Sequence, residues 1–274
     1  MSDKGSRRIH GVDFSGAQNA GEKIWISSGN IEGDSLVIEE CRSATDEFGA
    51  TDRETVLERI SQFIKGRDDC VFGLDFSFGV PHELVGTDDW EEFVRTFFKH
   101  TDAETMQETY SNEARELTDG ERAHLKRETD GKTGARSPYG FIPYKQTFYG
   151  IRDVLAPLVR DGEVSVLPMQ SAKPDRPWAI EIYPAATLDQ FGLCRNDYKE
   201  DTEASRKRRK RNLDGLLECA GGELRGNGIR ATAIEDSEGD ALDSLVAAVA
   251  TFRAVRNGLP PVDEASYPEG HIYV

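Results

Sequence analysis

Five acidic residues stand in stretches where carboxylates are rare. Asp13 lies in the apolar run at 9–14, Asp75 near the end of Cys70-Val-Phe-Gly-Leu-Asp-Phe76, and Glu181 at the centre of Trp178-Ala-Ile-Glu-Ile-Tyr183. Asp240 and Asp243 sit one turn apart at the start of an amphipathic stretch. A carboxylate inside an apolar strand is costly unless something pairs with it. Carboxylates that converge repel one another unless a divalent cation neutralises them. Hard oxygen ligands suit Mg²⁺ or Mn²⁺. Two such ions about 4 Å apart activate a water and stabilise the leaving oxygen in phosphodiester hydrolysis. Simpler roles also fit: an edge-strand Asp13 with its side chain in water, or a helix-capping Asp worth about 0.3–1 kcal/mol. Two acids followed by small alanines, which let a helix lie close against a sheet, point beyond a cap. None of the five histidines has metal-ligand spacing, so zinc is not expected.

The elements that must carry these acids follow from the hydrophobic pattern. The runs at 9–14, 24–27 and 35–41 predict an antiparallel three-strand meander. Thr51-Asp52 opens a helix with Val56, Leu57, Ile60, Phe63 and Ile64 on one face, and Gly66 stops it. Residues 70–76 read as a central buried strand. In the strand at 178–183, alternation puts Ala179, Glu181 and Tyr183 on one face and Ile180 and Ile182 on the other. The last helix buries Leu242, Leu245, Val246, Val249 and Phe252. Residues 82–150 depart from this plan. They are charged and helix-prone, with Trp90, Phe93, Phe97 and Phe98 as one apolar set and too little else for a separate core. They read as a helical insertion or lid within a single domain spanning 1–274. A helix over 151–159 has to place Pro157 near its last turn or kink there.

Two stretches have the composition to meet an anionic partner. The segment 136–149, with Arg136, Tyr144, Lys145 and Gln146, is suited to stack on rings and hold phosphates, or equally to plug the insertion onto the core. Ser15, beside the first acid, joins this substrate-binding set. The run Arg206-Lys-Arg-Arg-Lys-Arg211 offers Arg206, Arg208 and Arg209 to a nucleic acid, or forms a solvated helix face offset by nearby acids. The chain has 50 acidic and 34 basic residues, a net charge of −16, and 23 Arg to 11 Lys. With a mean hydropathy of −0.57, that bias predicts a halophilic surface, the alternative being an ordinary acidic protein. Such a charge repels nucleic acid except at a local cationic patch. At about 1 M salt, where the Debye length is about 3 Å, repulsion and attraction both fade. Four scattered cysteines read as reduced thiols. Without an apolar leader or a run of about 18 apolar residues, a cytoplasmic protein with no membrane contact is expected.

The order β-β-β-α-β-α-β-α, with an Asp on the first strand, an acid on the fourth and an acid pair opening the last helix, resembles the ribonuclease-H-like superfamily. Gly-Val-Asp13, Gly-Leu-Asp75-Phe-Ser-Phe-Gly-Val-Pro, Glu181-Ile-Tyr-Pro and Asp240-Ala-Leu-Asp243-Ser-Leu-Val-Ala-Ala are most similar to the domain-of-unknown-function-429 family of predicted ribonuclease-H-like nucleases. The last motif also resembles that of Holliday-junction resolvases. The resemblance covers roughly 9–81 and 150–256. It implies an α/β fold whose mixed sheet joins the meander to two parallel strands, with flanking helices and the helical insertion. It also implies Mg²⁺ or Mn²⁺ held by Asp13, Asp75 and Asp243, with Asp240 as a ligand or supporting acid. Glu181 would be a further catalytic carboxylate, or would orient a ligand or the insertion. The implied activity is metal-dependent hydrolysis of phosphodiester bonds in a nucleic acid. A reading of another class is an actin-like or sugar-kinase-like nucleotide binder, with Gly221-Gly222 near an adenine, although the first turn lacks a glycine- or threonine-rich phosphate loop. A third is a non-catalytic member of the fold.

Overall fold

The computed structural model describes residues 7–259 and 269–274, so most of the N-terminal stretch read for a leader lies outside it. The chain is an α/β fold around a mixed, mostly parallel sheet of eight strands in the order β5-β6-β4-β1-β2-β3-β7, with β8 also on β6. The strands are β1 (Arg8–Asp13), β2 (Trp25–Glu32), β3 (Ser35–Ser43), β4 (Cys70–Leu74), β5 (Ser165–Leu167), β6 (Trp178–Ile182), β7 (Glu223–Leu224) and β8 (Ile272–Tyr273). The meander is as expected: β1 and β2 are antiparallel with Asp13 opposite Trp25, and β2 and β3 are antiparallel with a bulge at Ser28/Gly29. β4 runs parallel to β1, and β6 parallel to β4, with Val12 opposite Leu74 and Leu74 opposite Glu181. Two parallel strands were expected beyond the meander. The three more, β5, β7 and β8, have only two or three residues each, too few to show a period.

Alternation along β1 and β4 sets the two faces. Val12, Phe72 and Leu74 enter one core, with α1 (Arg53–Lys65) and the insertion. Ile9 and Val71 enter the other, with the last helix. α1 forms where read, capped by Asp52, whose carboxylate accepts the Thr55 N–H at 3.0 Å. The insertion brings α2 (Trp90–Thr96), α3 (Ala103–Leu117) and α4 (Glu128–Thr133). Its Trp90, Phe93, Phe97, Tyr110 and Tyr139 are buried in the same cluster as Phe72 and Leu74, so it covers one sheet face. Phe98 does not belong to that set and is 50% exposed. A 3₁₀ turn at Phe97–Lys99 breaks the 3.6-residue phase that would have turned it inward.

α5 (Tyr144–Tyr149) runs through a π segment, Gly150–Leu155, into α6 (Ala156–Asp161). Pro157 lies directly after the π turn, in the terminal stretch Ala156–Asp161 of this rod, near its end as expected. It has no N–H for the carbonyl of Asp153, which accepts the Ser61 hydroxyl at 3.1 Å instead. After α7 (Pro184–Gln190), α8 (Glu203–Ala220) and α9 (Ile229–Glu235), the long helix α10 (Asp240–Arg256) crosses the second face. It buries Leu242, Leu245, Val246, Val249 and Phe252 as read. Its close approach also needs glycine on the sheet: a Cβ at Gly11 would overlap the backbone of Ser244 and Ala248, and one at Gly73 would overlap Thr251. No described helix is long and apolar enough to cross a membrane.

Candidate carboxylate centre

Asp13 closes β1 and Asp75 follows β4, so both acids sit at the carboxyl ends of adjacent parallel strands, where open α/β sheets bind ligands. Two-residue alternation places Asp13 on the face of Gly11, and Asp75 on the face of Gly73, the side against which α10 lies. α10 starts there, from Gly239 in a left-handed conformation at φ 78°, and its first turn carries Asp240 and Asp243. Asp13 is 7% exposed and Asp243 3%. The Asp13 and Asp75 carboxyls lie close enough to act on each other's charge. Acids 230 residues apart in sequence (243 − 13) therefore meet in one place.

Two residues that the sequence reading missed complete the centre. The Tyr198 hydroxyl donates to Asp243 Oδ1 at 2.7 Å. Lys199 Nζ lies 2.5 Å from Asp243 Oδ2 and 3.9 Å from Asp240 Oδ1. Its side chain is 46% exposed, with the ammonium at Asp243 and Asp240. Burial pushes the carboxyls of Asp13 and Asp75 well above the usual range, and the neighbouring charges of Asp240 and Asp243 on Asp13, and of Asp243 on Asp75, add to the rise. Burial likewise pushes Asp240 up to about 6. Burial also works against a charged Lys199, but Asp243 and Asp13 overcome it and hold the ammonium protonated. One cation faces four carboxyls, so the cluster is short of positive charge.

Its donors are hard oxygens only, which fits Mg²⁺ or Mn²⁺ in type and charge. Among the described residues no three His, Cys, Asp or Glu side chains stand as a ready ligand set. The ammonium of Lys199 lies beside Asp243 where a cation would be held, and it has to swing aside to admit one.

Glu181 is turned to the other face, although its charge reaches Asp75 and the two line one cavity. It shares its sheet face with Val12 and Leu74, opposite to Asp13 and Asp75, because it pairs in register with Leu74. There Arg127 grips it, with Nη2 2.5 Å from Oε1 and Nη1 2.8 Å from Oε2, while Oε2 also accepts the Phe78 N–H at 2.9 Å. Arg127 binds Asp130 as well, at 2.7 Å, and all three side chains are at most 3% exposed. Glu181 thus ties the insertion to the sheet.

The expected substrate contacts separate in the same way. Arg209 is buried and donates to the carbonyls of Ile234 at 2.7 Å, Tyr198 at 2.6 Å and Glu200 at 3.0 Å. It fixes both the loop carrying Lys199 and the segment leading into α10. Arg206 pairs with Glu235, and Arg208 donates to the Asp197 carbonyl at 3.1 Å. Lys145 pairs with Glu104 at 3.0 Å, and Tyr144 donates to the same carboxylate at 3.3 Å. Gln146 donates to the carbonyls of Phe14 and Asp75, pinning α5 to both acid-bearing strand ends. The Ser15 hydroxyl accepts the Ala17 N–H in a local turn. Arg136 alone of this set is exposed and unengaged, on the wall of a cavity of about 190 Å³ that reaches Asp75. Gly221-Gly222 ends α8 beside Asp34–Leu36, at the opposite end of the sheet from Asp13. A larger cavity of about 680 Å³, lined by Asp52, Arg53 and Arg152 among others, touches none of the acids.

No protein-family model matches the chain, and no curated protein or solved structure matches it either.

Proposed function

We propose that this chain is a divalent-metal-dependent hydrolase of the ribonuclease-H-like class that cuts phosphodiester bonds of a nucleic acid, with Asp13, Asp75 and Asp243 as the metal ligands. The observation that carries this reading is the meeting of those three carboxylates, starved of positive charge, at the ends of two parallel strands and the start of α10. The strand order supports the fold class: a β3-β2-β1 meander with β4, then β6, parallel beside β1. When bound, Mg²⁺ or Mn²⁺ supplies an activated water and stabilises charge on the leaving oxygen. The residues of the chain set the stage for that chemistry. Tyr198 orients Asp243, and Gln146 fixes the strand ends that carry the other two ligands. Lys199 offsets part of the carboxylate charge and offers an ammonium to a substrate phosphate oxygen. Asp240, with its raised carboxyl, exchanges a proton near neutral pH.

The test is cleavage of labelled DNA and RNA oligonucleotides with Mg²⁺ or Mn²⁺. The reading expects cleavage that chelation stops and that Asp13→Asn abolishes. Cleavage indifferent to either removes its support.

A further inference from the structure

We infer that the substrate of this centre is a single nucleic-acid strand drawn past Asp75, and not a duplex. This rests on the hydrolase reading above and specifies its substrate.

The first reason is depth. Asp13 and Asp243 are almost fully buried, and of two small cavities the one of about 190 Å³ reaches Asp75 and the one of about 270 Å³ reaches Asp75 and Asp243. Both cavities reach Asp75 and Tyr183. Between them Arg195 forms a strap, donating to the Gly134 carbonyl at 3.0 Å and the Tyr183 hydroxyl at 3.3 Å. A duplex is stiff over about 150 base pairs and carries its phosphates on a wide cylinder. It cannot lower a phosphate onto carboxylates at the bottom of so narrow a cleft. A flexible strand can, by bending to bring a single phosphate to Asp75 at the meeting of the two cavities.

The second reason is the chemistry of the walls. On the insertion side stand Arg136, exposed and without a partner, and Ile142, 62% exposed, with Phe141, 82% exposed, next to Ile142 in the chain just outside the cavity lining. Most large apolar side chains of the insertion are packed into the core, so these two are not needed there. Ile142 and Arg136 line the smaller cavity. On the other side stand Asn196 and Lys199. Cations tracking a backbone beside aromatic faces that take bases are the recognition chemistry of single strands. The cationic groups at this cleft also answer the net charge of −16, which repels nucleic acid elsewhere.

The experiment uses the full chain with Mn²⁺ and three substrates: a single-stranded 20-mer, the same sequence as a blunt duplex, and bis(p-nitrophenyl) phosphate as a small diester. The inference expects kcat/KM on the strand at least about tenfold above that on the duplex. Arg136→Ala and Phe141→Ala, both at exposed positions, are expected to raise KM for the strand by roughly tenfold each, with kcat retained. If the duplex is cut as well as the strand, the inference is overturned while the hydrolase reading stands. If the diester is cleaved but neither nucleic acid is cut, the inference is overturned together with the nucleic-acid substrate of that reading, and only diester hydrolysis remains. The inference is also overturned if both variants leave KM for the strand unchanged. If nothing is cleaved, the diester included, the hydrolase reading itself fails and the inference with it.

Discussion

Two clusters of buried charge sit on opposite faces of the same sheet, and they are built differently. Around Arg127, one guanidinium meets two carboxylates, and its nitrogens are engaged by Glu181, Asp130 and the Glu269 carbonyl. Around Lys199, one ammonium contacts Asp243 and Asp240 and acts on the charges of Asp13 and Asp75 beyond them. The first cluster is satisfied and ties the insertion to β6. Burial raises the carboxyl of Glu181 in the first as it raises those of Asp13 and Asp75 in the second, but in the second four carboxyls share one cation. Burial of charge is therefore no mark of chemistry in this chain. Under the proposed reading, shortage of the opposite charge is that mark.

Substitutions that remove one charge from each cluster break the comparison most sharply. Arg127→Met leaves Glu181 and Asp130 buried without a partner and is expected to cost about 3–5 kcal/mol in urea unfolding. Asp75→Asn relieves repulsion instead, so its urea midpoint is expected to stay or rise while metal-dependent cleavage is lost. Equal destabilisation by the two would dissolve the distinction.

The basic run holds the same contrast on a smaller scale. Arg209→Ala strips donors from the carbonyls of Ile234, Tyr198, Glu200 and Ser237 and is expected to cost about 1–3 kcal/mol or more. Arg206→Ala and Arg208→Ala, on the solvent side of α8, are expected to change neither the midpoint nor KM for a nucleic acid. A rise in KM for either would return the run to the substrate.

The pH dependence gives the smallest effect. The folded chain keeps protons on Asp13, Asp75 and Asp240 at pH values where the unfolded chain has released them, so it binds more protons in that window. The contribution of these groups to stability is full below the unfolded value of 3.8 and falls as pH rises through the raised native values, for Asp240 about 6. In metal-free buffer, Asp75→Asn is expected to flatten this fall in urea titrations between pH 4 and 7. An identical slope in the wild type and the variant would contradict it.

The strands that carry Asp13, Asp75 and Glu181 were legible because each is an apolar run broken by one acid. The grouping of Glu181 with the others was not. Alternation within β6 already gave its face relative to Ile180, but which face of β6 matches which face of β4 depends on register across strands far apart in sequence. Arg209 was half legible. Ser205, Arg209, Asn212, Leu213 and Leu216 follow helical spacing and are all buried, which marks Arg209 as the inward member of a basic run. Lys199 had no signal, since nothing local ties a lysine in a polar loop to an acid 44 residues on (243 − 199).

The most direct test of the charge-starved centre is anomalous diffraction from crystals soaked in Mn²⁺. The account expects a peak among Asp13, Asp75 and Asp243, with Lys199 moved off Asp243, and expects no such peak in Asp13→Asn crystals. No peak in the wild type, with Lys199 still seated on Asp243, would contradict it.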